Sequence, residues 1–168
     1  YRGGKLIGYT EETKDSRKGD TVTITKRSNQ QYGSNGKIIS YDEEISTKGD
    51  SPVIYKEWRN GAYNKLGQLL SYNELTKSSL GGETFLEWSA ELYNPIGLIQ
   101  AFTEKTTEEE HTLTKNRKDV KYDEYDRMLS YEDEITDGMA KPYTSKWEAL
   151  GYNSANLLTG TRTTTVKG

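Results

Sequence analysis

Tyr63-Asn64-Lys65-Leu66-Gly67-Gln68-Leu69-Leu70-Ser71-Tyr72-Asn73-Glu74 is the stretch that decides how this chain is read, because it recurs. Residues 32–43 read Tyr-Gly-Ser-Asn-Gly-Lys-Ile-Ile-Ser-Tyr-Asp-Glu, and residues 93–104 read Tyr-Asn-Pro-Ile-Gly-Leu-Ile-Gln-Ala-Phe-Thr-Glu. Residues 122–133 read Tyr-Asp-Glu-Tyr-Asp-Arg-Met-Leu-Ser-Tyr-Glu-Asp. A clipped copy runs from Gly4 to Glu11. A degraded one starts at Tyr152, with Asn156 in the glycine position and Thr161 in that of the second tyrosine. The opening tyrosines stand at 32, 63, 93, 122 and 152, so the spacing is 31, 30, 29 and 30 residues. A fixed period in this range is the signature of a repeat architecture. The expected organisation is a single array over residues 1–168, with repeats at about 1–31, 32–62, 63–92, 93–121 and 122–151 and a partial copy at 152–168. Because Tyr1 and Gly168 both fall inside copies, the chain is expected to be a segment of a longer array.

Each copy divides into two strand-like halves. In the motif half, Ile39, Tyr41, Glu43 and Ile45 alternate with Ile38, Ser40, Asp42 and Glu44, the period of a strand. The other half is rich in Thr, Val and aromatics, as in residues 21–25 (Thr-Val-Thr-Ile-Thr), 52–58 (Pro-Val-Ile-Tyr-Lys-Glu-Trp) and 83–88 (Glu-Thr-Phe-Leu-Glu-Trp). Two turns join the halves. One lies inside the motif, where Ser34-Asn35-Gly36 carries the strongest short hairpin signal. Gly67 and Gly97 keep the glycine there, and Asp126 replaces it with a residue that tolerates a left-handed backbone. The second turn falls at residues 15–20, 46–51, 77–83, 106–111 and 137–141, with Gly19, Gly49, Gly81-Gly82 and Asp137-Gly138 to supply positive φ. The copy at 106–111 has no glycine and must turn by other means. The fold expected is all-β: tandem hairpin repeats added side by side into one extended antiparallel meander, single-layered or coiled.

Composition suits a thin sheet. Apolar residues make up 32% of the chain and mean hydropathy is −0.94, against an apolar share of about 45–50% in ordinary domains. There are 13 tyrosines but only two phenylalanines, so the aromatic surface is amphipathic. Such a chain cannot fill a thick core, and its stability is expected from cross-strand pairs. With 23 basic and 26 acidic residues interspersed, there is no basic stripe for nucleic acid. No apolar run approaches the about 20 residues of a membrane span. Cysteine is absent, which excludes disulfides and thiolate metal sites.

Three columns repeat with the period. Five residues before each opening tyrosine stand Arg27, Trp58, Trp88, Arg117 and Trp147. Nine after it stand Tyr41, Tyr72, Phe102 and Tyr131, with Tyr9 in the clipped copy. Eleven after it stand Glu43, Glu74, Glu104 and Asp133, with Glu11 in the clipped copy. If the first two columns share a face, rings and guanidinium groups interleave across the sheet. The rings then have two readings: a ladder that packs the sheet, or a row of exposed platforms for glycan, formed by Trp58, Trp88, Trp147, Tyr41, Tyr72 and Tyr131. The acidic column is expected to pair with Lys5, Lys37, Arg127 and other basic residues on adjacent strands; stacked carboxylates for calcium are the competing reading. No calcium repeat, phosphate loop or nucleophile motif is present, and the single histidine, His111, sits in a Glu-rich turn. No catalytic residue, metal or cofactor is expected.

At Tyr63-Asn64-Lys65-Leu66-Gly67-Gln68-Leu69 and Tyr122-Asp123-Glu124-Tyr125-Asp126-Arg127-Met128 the sequence resembles the YD (Rhs-type) repeats of large bacterial surface and toxin-delivery proteins. The resemblance spans essentially the whole chain, although the period here is longer and the trailing Ser-Tyr-x-Glu half lies outside that family's motif. It implies hairpins added to a long coiling sheet, and a non-catalytic stalk, fibre or wall in an extracellular or cell-surface protein. Implied alternatives are part of a toxin-encapsulating shell, or an adhesin-like surface for polysaccharide. Expected partners are neighbouring repeats of the same protein, or like chains meeting at sheet edges.

Overall fold

The computed structural model describes residues 3–15, 21–49, 52–138 and 140–167. Every regular element in them is a strand: β1 (Tyr9–Asp15), β2 (Thr21–Tyr32), β3 (Ile38–Thr47), β4 (Ile54–Tyr63), β5 (Leu69–Ser78), β6 (Glu83–Tyr93), β7 (Ile99–Glu108), β8 (His111–Tyr122), β9 (Met128–Asp137), β10 (Tyr143–Tyr152) and β11 (Leu158–Lys167). They form one antiparallel meander in which strand order equals chain order, with β1 and β11 at its two ends. The expected all-β hairpin array is what forms. Among the described residues no helix is long and apolar enough to cross a membrane. The chain divides into two compact units, Tyr1–Glu87 and Trp88–Gly168, with the division inside β6.

Where the second residue of the motif is Asn or Asp, its side chain closes the motif turn; in the copy with Gly33, Asn35 accepts the Lys37 amide instead. Asn64 Oδ1 accepts the amides of Leu66 (2.9 Å) and Gln68 (3.0 Å), and Asp123 Oδ1 accepts those of Tyr125 (2.9 Å) and Arg127 (3.0 Å). Asn153 does the same for Ala155 and Leu157. A side chain that satisfies two turn amides explains why Asn or Asp follows the tyrosine. The glycine position is left-handed in every copy: Gly36, Gly67 and Gly97 at φ 75°, 80° and 96°, and their substitutes Asp126 and Asn156 at 61° and 60°.

At the opposite end of the hairpins, Gly49, Gly81, Gly82 and Gly138 take positive φ as expected, while Gly19 lies outside the described residues. The glycine-free copy turns more tightly than expected. β7 and β8 continue to the Glu108–His111 pair, leaving Glu109 and Glu110 as the connection, and Glu109 itself goes left-handed at φ 53°.

Little of the chain is buried. Trp58 and Val120 are the only hydrophobic side chains below the surface among the described residues, at 7% and 1% exposure. No second layer covers a face within either unit, because every described element belongs to the sheet. Contacts along the sheet therefore carry the stability.

Candidate functional site

Register decides the shared face. Trp58 stands directly opposite Tyr41 on one side and opposite Glu74 on the other. Arg27 stands opposite Tyr9 and Glu43, Arg117 opposite Phe102 and Asp133, and Trp147 opposite Tyr131. Directly paired residues project to the same side of a sheet, so within each unit these column residues share one face.

They interleave there. In the first unit Arg27 lies 5.4 Å from the Tyr9 ring centroid and 3.8 Å from that of Tyr41. Tyr41 stacks on Trp58 at 5.3 Å and 11°, and Trp58 stacks on Tyr72 at 5.4 Å and 28°. In the second unit Trp88 packs on Phe102 at 5.8 Å, Arg117 lies over Phe102 (5.2 Å) and Tyr131 (3.5 Å), and Tyr131 stacks on Trp147 at 5.2 Å and 10°. Ring–ring and cation–ring contacts of this kind contribute about 0.5–1.5 kcal/mol each.

A bulge makes the interleaving fit. Between the pairs Ser28–Asp42 and Gln31–Ser40, the two residues Asn29 and Gln30 oppose the single Tyr41. Asn60 and Gly61 oppose Tyr72, and Asp119 and Val120 oppose Tyr131, in the same way. The first residue of each bulge is left-handed: Asn29 at 54°, Asn60 at 59°, Asp119 at 54°. An extra residue removes the direct cross-strand neighbour of the ring on that side. The ring then leans on the Arg or Trp diagonally across, within reach of long side chains. The second bulge residue turns inward, where Gln30, Gly61 and Val120 are all buried. Nothing in the sequence reading had singled out these positions. The recurrence of Asn or Asp three residues before the opening tyrosine, at 29, 60 and 119, was the available signal.

The acidic column pairs with basic residues of adjacent strands, as expected, but Lys5, Lys37 and Arg127 are not the partners. Glu43 accepts from Arg27 Nε at 2.9 Å, Glu74 from Lys56 at 2.9 Å, and Asp133 from Arg117 Nε and Nη2 at 2.7 and 2.8 Å; Glu104 pairs with Lys115. Burial draws the Arg27 and Arg117 pKa values down, but the hydrogen bonds and charges of Glu43 and Asp133 outweigh it and leave both raised. Burial raises the Tyr41 phenol against the opposing charge of Arg27. Lys5 instead lies 5.0 Å over the ring of Tyr32, and Arg127 lies 4.7 Å over that of Tyr152 while pairing with Asp123; the Lys37 side chain comes close to Gly67. The physical reason is reach. Lys5, Lys37 and Arg127 sit in motif turns, whereas the acids face the Arg and Lys of the neighbouring strand in mid-sheet. Among the described residues no group of three or more His, Cys, Asp or Glu is placed to hold a metal ion. His111 is exposed, with Nε2 against the Asp137 carboxylate.

The opening tyrosines have a separate task. The β3–β4 backbone ladder stops at the Tyr41–Trp58 pair, so the two strands part toward the motif turns. Tyr63 Oη donates across the gap to the carbonyl of Ile38 at 2.8 Å. Tyr32 reaches Leu6 (2.8 Å), Tyr122 reaches Ile99 (2.7 Å) and Tyr152 reaches Met128 (2.6 Å), each six residues into the preceding motif. A carbonyl left without a ladder partner is thus satisfied by a side chain of the next repeat.

The same parting leaves recesses. Between β3 and β4 one is lined by Asn29, Gln31, Ser40, Asp42, Arg59 and Asn60. Between the segment that leads into β1 and strand β2 its counterpart is lined by Lys5, Ile7, Asn29, Gln30 and Gln31. In the second unit the β9–β10 recess is lined mostly by charged groups, among them Asp119, Lys121, Glu132 and Lys146.

The six rings proposed from sequence as a glycan platform are therefore assembled into the two ladders, Tyr41, Trp58 and Tyr72 in one and Trp88, Tyr131 and Trp147 in the other. Both ring faces of Trp58 are covered by neighbours, whereas the outer side of Trp147 meets Thr163. No protein-family model matches the chain, and neither a curated protein nor a solved structure matches it.

Proposed function

We propose that the chain is a non-catalytic structural repeat segment, a length of stalk, fibre or wall in a large extracellular or cell-surface protein. The observation that carries this reading is that, within each unit, successive repeats are joined by the same kinds of contact. A cation or tryptophan sits between the aromatic residue of one strand and the acid of the next, and a tyrosine hydroxyl caps the preceding repeat. Such a unit needs only its neighbours to be stable, and it can be added without limit. The resemblance of the motif to YD repeats supports the same reading and brings with it the bacterial, surface-exposed setting.

Two measurements test it. Tandem duplication of residues 63–92 should give a folded chain, longer by about 10 Å, the width of two strands, in small-angle scattering. An insertion that leaves the dimensions unchanged or unfolds the chain refutes the additive unit. Antibodies raised against the chain should label intact source cells; labelling only after permeabilisation refutes the surface location.

A second reading, an adhesin-like surface for carbohydrate, is favoured by the amide-lined recesses of the first unit rather than by the rings.

A further inference from the structure

We propose that the two recesses of the first unit bind a linear, uncharged polysaccharide laid across the strands, one disaccharide to each repeat. The inference rests on the adhesin-like reading and moves its site from the aromatic ladder to the bulges.

Asn29 and Gln31 border both recesses, and Asn60 continues the line on the next repeat. All three are exposed. They place a strip of primary amides across β2 and β4, and amides offer a donor and an acceptor together, the pair that vicinal sugar hydroxyls require. Among the described residues Gln31 and Asn60 spend neither group on a protein partner, and Asn29 spends only its Nδ2, on Asp42. The bulges hold Asn29 and Asn60 in left-handed conformations, so the side chains are presented by a fixed backbone. Ile39 supplies an apolar wall.

The surroundings exclude other ligands by their chemistry. The charged side chains at the site are already paired: Arg59 gives Nη2 to Asp42 and Glu57 and Nη1 to the carbonyls of Tyr41 and Trp58. A polyanion would find only Lys5 close by. An extended peptide could not complete the parted ladder, because the carbonyls of Leu6 and Ile38 are already taken by Tyr32 and Tyr63. Equivalent points on adjacent repeats are two strands, or about 10 Å, apart. That is close to the length of a disaccharide in an extended β-linked glycan, so successive recesses meet successive disaccharides. Two weak sites joined by one ligand then act together.

The test is an NMR titration of the whole 168-residue chain with cellotetraose and chitotetraose, the matching disaccharides, and maltotetraose as a glycan that curves away. The side-chain amide signals of Asn29, Gln31 and Asn60 should shift with at least one β-linked tetrasaccharide. It should bind about 10-fold or more tighter than its disaccharide, and maltotetraose should bind more weakly. The variant N29G/Q31A/N60G, whose glycines accept the left-handed backbone, should keep its circular dichroism and lose the shifts at Ile39 and Ser40. The proposal is overturned if no amide shifts at millimolar oligosaccharide, if only the indole signals of Trp58, Trp88 or Trp147 respond, or if disaccharide and tetrasaccharide bind equally. A folded chain that ignores every sugar removes the binding site and leaves the structural role standing.

Discussion

Replacing Gly61 by alanine should destabilise the first unit, against the ordinary preference of a strand interior, where alanine is favoured over glycine by about 0.5–1 kcal/mol. A methyl group at this position would lie 2.2 Å from Trp58 Cη2, 2.5 Å from Cζ3 and 3.0 Å from the Ile38 carbonyl oxygen. Gly61 is not among the glycines with positive φ, so the effect isolates space from backbone strain. The indole cannot slide aside, because Tyr41 and Tyr72 stack on it at 5.3 and 5.4 Å. It must rotate out of the slot, losing two stacking contacts worth about 0.5–1.5 kcal/mol each and exposing a ring that is now 7% accessible. Set against the gain in strand propensity, the net loss is about 2–4 kcal/mol, at or above the upper end of the usual cost of overpacking. Urea unfolding followed by circular dichroism reads it. In a W58A background the same G61A change should be neutral or stabilising by about 0.5 kcal/mol, a coupling that a double-mutant cycle isolates. Equal or greater stability of G61A with Trp58 present, or the same loss without it, would refute the argument.

Tyr63→Phe removes the hydroxyl that caps the Ile38 carbonyl and should cost about 1–2 kcal/mol in urea unfolding, whereas Tyr125→Phe, at an exposed turn position, should be silent. Glu109→Gly should stabilise the β7–β8 turn by about 1 kcal/mol, since a left-handed backbone is strained for glutamate and free for glycine; a lower melting temperature would contradict it. Burial raises the phenols of Tyr41, Tyr63, Tyr93 and Tyr122, so their contribution to stability is complete below the ordinary phenol value of about 10 and declines as pH climbs through the raised values. Absorbance at the phenolate band should show this late-titrating class disappearing in urea. On the acid side, the hydrogen bond from Arg127 lowers Asp123, and those from Lys146 and Lys118 lower Glu132. At Asp42, burial acts upward but the hydrogen bonds from Asn29 and Arg59 prevail. Stability from these three is complete above the ordinary carboxylate value of about 4 and is lost as pH falls through the lowered ones; urea midpoints that rise on acidification would contradict the assignment.

The strands were legible because one pattern was written five times over: alternation in the motif half, β-branched residues in the other, and a glycine or its Asn or Asp substitute at the turn. The ladder was half legible. Its columns could be counted from the opening tyrosine, and their common face followed only once the register placed Trp58 opposite both Tyr41 and Glu74. The bulges escaped notice because Asn29, Asn60 and Asp119 look like ordinary polar strand residues until the backbone goes left-handed. The Glu109 turn escaped too, since nothing local marks a glutamate for positive φ. The tyrosine that opens each copy served as a ruler for the period, while its hydroxyl contact lies 23 to 26 residues back along the chain.

What the sequence determined by itself is the unit and its direction of growth, because strand period and turn chemistry are local properties that every copy states again. What only the tertiary structure decided is which side chains meet. A bulge of one residue shifts every later pairing and so sets Arg27 against Glu43, while the unbulged register of β3 and β4 sets Trp58 against Tyr41 and leaves Tyr63 to reach Ile38. Cross-strand partnership depends on register, and register is a sum over both strands that no single stretch contains.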